Sequence, residues 1–337
     1  MKRIVVLVIM VALIASFAFA EQSTLIDFTQ LTADFPPDEP VDHEPTLLNF
    51  GDQAGTAFTE EEKALMRTSL AIPNWEITLA SSSRFVENQA LSQVRPAQVR
   101  EDAAQFAGET VLGVRVHFPT ENYNSWALIE PPFEIPAYAD PTEVQGDGTL
   151  VTPEDQVGSG DKYEGFGVVK NVGTLRTVSM TVMGLNFNHG VSVVLQDENN
   201  EEQEIFLGYL NFEGWRTLEW QNPNYITSVR NRELRTAPLY PNLQPMRKLL
   251  GIRFYRDAEA IGGDFIGYVR DITMTYDLAT LQLQRDIDDE AVWGILQERE
   301  ADRRAAELRR LGNVQVLRYL ERQKMHDPNA PQEGEQE

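Results

Sequence analysis

The chain offers four histidines, a large excess of carboxylates and no cysteine as its chemical raw material. His43, His117, His189 and His326 show neither HxH nor HExxH spacing, so no histidine metal site is expected. His117 falls in an alternating strand and His189 in a turn, where an ordinary structural role is the simpler reading. There is no GxSxG, no P-loop and no strand-linked GxGxxG; Gly165-Phe166-Gly167 opens onto a strand. A pair of carboxylates would serve glycoside hydrolysis. Only Glu219, between Leu218 and Trp220, has a semi-apolar setting able to raise a carboxyl pKa, and a strand residue facing solvent fits it better. Asp147 and Asp161 lie in acid- and glycine-rich stretches that would suit calcium, without the spaced-oxygen pattern of an EF-hand loop. No catalytic, cofactor-binding or metal-binding residue is expected, and no enzyme.

Binding is better represented than catalysis. Gly214–Pro241 holds Trp215, Trp220, Tyr225 and Tyr240 with Arg216, Arg230, Arg232 and Arg235, against two acids, Glu219 and Glu233. Trp, Tyr and Arg bury large areas while keeping a polar handle, the make-up of binding hot spots. These eight residues are the candidate assembly interface. The alternative is a strand with an ordinary aromatic core followed by a solvated, arginine-bearing loop.

Composition narrows the partners. The net charge is −23, which keeps a protein soluble and repels nucleic acid. Residues 1–20 read as a signal peptide: Lys2 and Arg3, an apolar run from Ile4 to Ile14, and a small-x-small site at Ala18-Phe19-Ala20. That run is shorter than the roughly 20 residues of a spanning helix. The expected product is exported, with no membrane insertion after cleavage. Without cysteine there is no disulfide framework, and stability must come from an ordinary core.

The elements that would position these residues are mostly strands. Residues 21–68 read as an acidic, proline-containing N-terminal extension, with Leu25-Ile26-Asp27-Phe28 echoed at Leu47-Leu48-Asn49-Phe50 and a short helix start at Thr59-Glu60-Glu61-Glu62. Residues 69–278 read as a β-sandwich of jelly-roll type. Val114–Phe118 alternates strictly; Val178, Met180 and Val182 share a face, as do Val191, Val193 and Leu195, or Leu250, Ile252 and Phe254, or Ile272, Met274 and Tyr276. Turns are expected at Asn188-His189-Gly190, Glu198–Glu201 and Asn222-Pro223-Asn224. Residues 130–160 read as a long surface loop, rich in Pro, Gly and acids. Residues 279–325 read as a charged helical extension, with a stop at Gly312-Asn313 and a second helix from Val314 to Lys324. Residues 326–337 read as a disordered tail.

Several strings carry more than composition. NPNYI, VRNRE and PLYP within Trp215–Pro241, and RD, GGDFI and YDLA from Gly251 onward, resemble the spirochaete flagellar filament outer layer (sheath) protein family of the FlaA type. Ile72–Arg84, Gly113–Tyr138 and Gly167–Asn186 fit the same picture, so the resemblance covers roughly Leu70 to Asp277 and the signal peptide. It implies a galactose-binding-like jelly roll, export to the periplasm, a structural role coating a core flagellin filament, and core flagellin and neighbouring sheath subunits as partners. It supplies no catalytic residues. Two other readings compete with it: a periplasmic carbohydrate-binding module stacking sugars on Trp126, Trp215 and Trp220, and a cell-wall hydrolase using Glu219.

Overall fold

Where apolar and polar residues alternate, the backbone is extended. The computed structural model describes residues 21–32, 44–137, 143–144, 150–151, 153–154, 160–226, 236–238, 245–282, 292 and 294–325. Within them twelve strands form the sandwich: β1 (Glu21–Asp27), β2 (Glu76–Leu79), β3 (Gln93–Gln98), β4 (Thr110–Phe118), β5 (Ser125–Glu130), β6 (Val168–Lys170), β7 (Val172–Leu185), β8 (His189–Asp197), β9 (Glu202–Tyr209), β10 (Glu213–Gln221), β11 (Met246–Arg256) and β12 (Gly263–Leu278). Sheet 1 runs β10-β7-β12-β4-β3 with β1 also on β12; sheet 2 runs β9-β8-β11-β5-β2 with β6 also on β11. Every pairing within these two sheets is antiparallel.

The two orders match position by position, so that strands adjacent in the chain (β9 and β10, β8 and β7, β11 and β12, β5 and β4, β2 and β3) lie opposite each other. This is a jelly-roll β-sandwich. Each sheet is organised by one long strand whose second edge is completed by two strands end to end. β12 pairs with β4 through Gly263–Val269 and with β1 through Asp271–Tyr276. β11 pairs with β6 through Met246–Lys248 and with β5 through Ile252–Arg256. Residues 21–27, read from sequence as part of an extension, are thus a strand of sheet 1, with Leu25 and Ile26 fully buried.

The inward faces follow the alternation. Val178, Met180 and Val182 meet Val191, Val193 and Leu195, and Ile272, Met274 and Tyr276 complete the same core. One expected set is revised: Ile252 and Phe254 are buried with Leu249, not Leu250. A register shift between Val194 and Leu195 on the facing β8 pairs them with Gly251 and Leu249, which leaves Leu250 as the unpaired residue. The turn expected at Asn188-His189-Gly190 starts earlier, with Asn186 at φ 60°, and His189 already belongs to β8. The turns at Glu198–Glu201 and Asn222–Asn224 are as expected; the Asn222 carboxamide accepts from Asn224 N at 2.9 Å.

The stretch read as a surface loop from residue 130 begins as core. Phe133 and Ile135 are buried, and Phe133 packs edge-on to Tyr163 at 5.9 Å between ring centroids. Three α-helices decorate the described sandwich. In α1 (Glu60–Leu65) Thr59 and Glu62 form a reciprocal capping box; α2 (Val86–Leu91) precedes β3. α3 (Ile295–Met325) is one continuous helix, not two. Gly312, read as a stop, lies inside it, because a Cβ there would come within 2.2 Å of the Gln53 Cβ. The glycine lets the helix approach Gly51–Ala54 rather than ending it. Gln315 Nε2 donates to the Pro132 carbonyl at 2.6 Å and Arg318 reaches Glu76 at 3.1 Å, so the second half of α3 is tied to the sandwich by charge and backbone contacts.

Two buried polar groups matter to stability. The Arg256 guanidinium, 1% exposed, donates to the carbonyls of Glu121, Tyr123 and Ala260 and so holds two loops at one end of sheet 2. His189 lies among Phe118, Phe187 and Phe265, its ring 4.7 Å from that of Phe265. Neither of its ring nitrogens has a hydrogen-bond partner. Burial first, and then the Arg256 charge, lower its pKa to about 4.

The folded chain therefore keeps His189 neutral down to about pH 4, while the unfolded chain protonates it near 6.5. The unfolded state binds more protons in that window, so stability is lost as pH falls through it, by at most about 3 kcal/mol. Urea melts at pH 7 and pH 5 should show a larger acid loss in the wild type than in His189→Phe. For α3, Gly312→Ala raises intrinsic helix propensity by about 1 kcal/mol. It should nonetheless release the helix from Gln53, seen as faster proteolysis within residues 295–325 and a lower melting temperature.

Candidate assembly surface

β10 carries the first part of the Gly214–Pro241 segment and forms one edge of sheet 1, paired among the described residues with β7 alone. Alternation along it divides the candidate residues between two faces. Leu218 and Trp220 turn inward and pack on the core from partly buried positions. Arg216, on the same side, is exposed and stacks over the Phe212 ring at 4.3 Å. Trp215 turns outward. Tyr225, beyond the strand, donates its hydroxyl to Asp277 at 3.0 Å and lies under Arg176. Trp215, Arg216, Trp220 and Tyr225 thus form no single patch. Arg230, Arg232, Arg235 and Tyr240 lie outside the described residues.

Around Trp215 the fold assembles partners that sequence proximity does not suggest. Phe106, in the loop between β3 and β4, meets the indole edge-on at 5.2 Å. Phe106 holds a left-handed conformation, φ 57°, which is uncommon outside glycine and aims its ring back over the sheet. Arg270 lies over the Phe106 ring at 4.6 Å. Its guanidinium donates to Glu109 at 2.6 Å and also pairs with Asp271. The hydrogen bond to Glu109 is the main reason that its pKa is raised above the ordinary arginine value. A tryptophan edge-on to a phenylalanine that a paired arginine covers gives an amphipathic surface.

Beyond this cluster the outer face of sheet 1 is a field of hydroxyls. Ser179 bonds Thr273 at 2.8 Å, and Thr181 lies 3.3 Å from Thr217 across the neighbouring strand. Cross-strand hydroxyl pairs of this kind stabilise a solvated sheet face. Glu219 stands on it, exposed and accepting from Gln221 at 2.9 Å, with no second carboxylate opposite it in the ladder, where Ser179 is its partner. Nearer β4, Asp264 takes hydrogen bonds from Arg115 and His117, which hold its carboxyl below the usual range.

The remaining chemistry-bearing residues are placed as follows. His189 is a core residue, and Asp161 pairs with Lys170. His43, His326 and Asp147 fall outside the described residues. Among the described residues no three His, Asp or Glu side chains gather closely enough to hold a metal ion. Trp126 lies on the outer face of sheet 2 beneath Arg253, 4.9 Å away, far in the fold from the strand that carries Trp215 and Trp220.

Residues 40–285 match the family described as flagellar filament outer layer protein Flaa. Over 310 residues, 92% of this chain and 89% of the relative, the sequence is 50% identical to the flagellar filament outer layer protein of Spirochaeta aurantia. It is 43% identical to the flagellar filament outer layer protein of Treponema pallidum (strain Nichols) over 331 residues, covering 96% of this chain and 95% of that one. Among solved structures it is similar to the module TmCBM61 in complex with β-1,4-galactotriose, at 9% identity and a TM-score of 0.26, covering 60% of this chain and 88% of the module. The fold assignment rests on the strand pairings of this chain. With half of its residues identical to one relative across nearly the whole length, the chain belongs to the flagellar filament outer layer protein family, the FlaA type that its Trp215–Pro241 and Gly251–Asp277 strings resemble.

Proposed function

We propose that this protein is a structural, non-catalytic subunit of the outer layer of a spirochaete periplasmic flagellar filament, exported by the segment 1–20 and supporting motility as a sheath. The observation that carries this reading is the family match across residues 40–285, which takes in every strand of the sandwich except β1. Its partners are then core flagellin subunits on one side and further copies of this chain on the others.

The physics of the chain suits that task. A coat subunit repeats through heterologous contacts that do not close on themselves. A chain of net charge −23 repels its own copies unless opposite charge is gathered somewhere. Here it is gathered twice. Arg216, Arg230, Arg232 and Arg235 crowd one segment, and α3 carries eight basic against five acidic side chains. Each exposed ion pair contributes only about 0–1 kcal/mol. Repeated along a filament, such contacts add through avidity. Trp215 with Phe106 and Arg270 adds desolvated area to that contact. The carbohydrate-module reading built on Trp126, Trp215 and Trp220 together has less support, since Trp220 faces the core and Trp126 lies on the other sheet.

Electron cryo-microscopy of purified periplasmic filaments tests the reading. A deletion strain should yield filaments of smaller diameter; an unchanged diameter would remove the sheath assignment. Reversing Arg230, Arg232 and Arg235 to Glu should lower incorporation into filaments at least tenfold while leaving the melting temperature of the isolated protein unchanged. Incorporation should also weaken as salt rises from about 0.1 M to about 1 M, because the screening length falls from about 10 Å to about 3 Å.

A further inference from the structure

The outer face of sheet 2 is half covered by α3, which lies against Pro132 and Glu134, and half open. The open half holds a shallow cavity of about 470 Å³ lined by Gly190, Ser192, Glu204, Phe206, Tyr209, Tyr255 and Asp257. Phe206 and Tyr209 are three residues apart on β9, a spacing that places side chains on opposite faces of a regular strand. A register shift opposite Val191 and Ser192, which leaves Leu207 unpaired, puts both on the same face, with ring centroids 5.3 Å apart. Gly190 makes room for them: a Cβ there would come within 2.8 Å of the Phe206 ring. The cross-strand row then reads Tyr209, Gly190, Tyr255, Trp126 over four adjacent strands, roughly 14 Å at the spacing of a sheet.

The polar groups around these rings are incompletely used. Ser192 is fully buried, yet its hydroxyl has no hydrogen-bond partner. Buried hydroxyls are nearly always paired, so one lining a cavity points to a ligand that completes it. Glu204 accepts from Arg253 at 2.6 Å and from the Tyr255 hydroxyl. Asp257, exposed, stands beside Tyr209 at the rim. Two carboxylates against one arginine disfavour an anionic ligand and supply acceptors for hydroxyl donors. Exposed ring faces beside acceptor-rich side chains match a neutral polyol whose C–H face is apolar and whose edge is all hydroxyl.

We propose that this face binds a short neutral oligosaccharide, its rings lying on Tyr209, Phe206 and Tyr255 with one hydroxyl bonded to Ser192. The site is independent of the coating role and lies on a different sheet from Trp215.

Calorimetry on the full-length protein with cellotetraose, chitotetraose and, as anionic control, tetragalacturonate tests it. At least one of the two neutral sugars should bind saturably and the anionic one at least tenfold more weakly. Tyr209→Ala and Phe206→Ala, both at exposed positions, should each reduce affinity at least tenfold without lowering the melting temperature, and Ser192→Ala should reduce it several-fold. Gly190→Ala should weaken binding by displacing Phe206. No binding of either neutral tetrasaccharide, or binding indifferent to these substitutions, overturns the proposal. So does loss of filament incorporation in Tyr209→Ala with no sugar bound by the wild type, which would make the patch a protein contact. Filament diameter in the deletion strain reports on the coating role separately.

Discussion

Burial of the facing sides of β11 and β12 is the constraint on which the rest of the structure depends. Phe254 of one strand meets Phe265 of the other with ring centroids 5.0 Å apart, and Phe118 and His189 pack around that contact. Both strands are long enough to need two partners on one edge, and this draws β1 and β6 into the sheets. A first strand placed before the main domain in sequence is held because β12 would otherwise leave half an edge unpaired. The same contact explains why His189 stays neutral: its surroundings are aromatic faces, and Arg256, anchored on three carbonyls, adds positive charge nearby. The ring serves packing at the cost of an acid-sensitive position.

Much of this was legible from alternation. The inward sets on β7, β8 and β12 follow from period 2, because a half-buried strand must present apolar residues to one side. What failed did so for definable reasons. Leu250 is misassigned by parity, since a bulge shifts the register by one residue and moves side chains to the other face. Gly312 reads as a stop because glycine usually ends helices, whereas here it answers to Gln53, a residue more than 250 positions away. Pro131–Ala137 reads as loop by composition, but Phe133 and Ile135 fill the core.

The candidate interface was legible only in part. Residue types in Gly214–Pro241 mark the family, and Trp215 turns outward from β10. Phe106 and Arg270, which give Trp215 its setting, are separated from it by long stretches of chain, and only the pairing of β10, β7 and β12 brings them near. Conversely Trp220 has the composition of a hot spot and the position of a core residue. Composition reports which side chains are present; alternation decides which of them are offered to a partner.

These placements give the sandwich three distinct exterior surfaces. The outer face of sheet 1 is polar and hydroxyl-rich with one aromatic cluster at its β10 side. The outer face of sheet 2 is divided between a basic helix and an aromatic hollow. A filament coat requires at least two different contact surfaces per subunit, one for the core and one for each neighbour direction. The arginine-rich segment and α3 are two places where a chain of net charge −23 gathers positive charge, and in α3 Arg310 and Arg318 pair with Glu134 and Glu76 of the same chain. Charge of this kind sets orientation and speed of encounter more than strength. Strength in a protein contact comes from buried rings; the half-buried Trp215–Phe106 pair lies on sheet 1, whereas the exposed Phe206 and Tyr209 line the hollow on sheet 2. Since these two clusters lie on opposite sheets, a single flat partner cannot cover both.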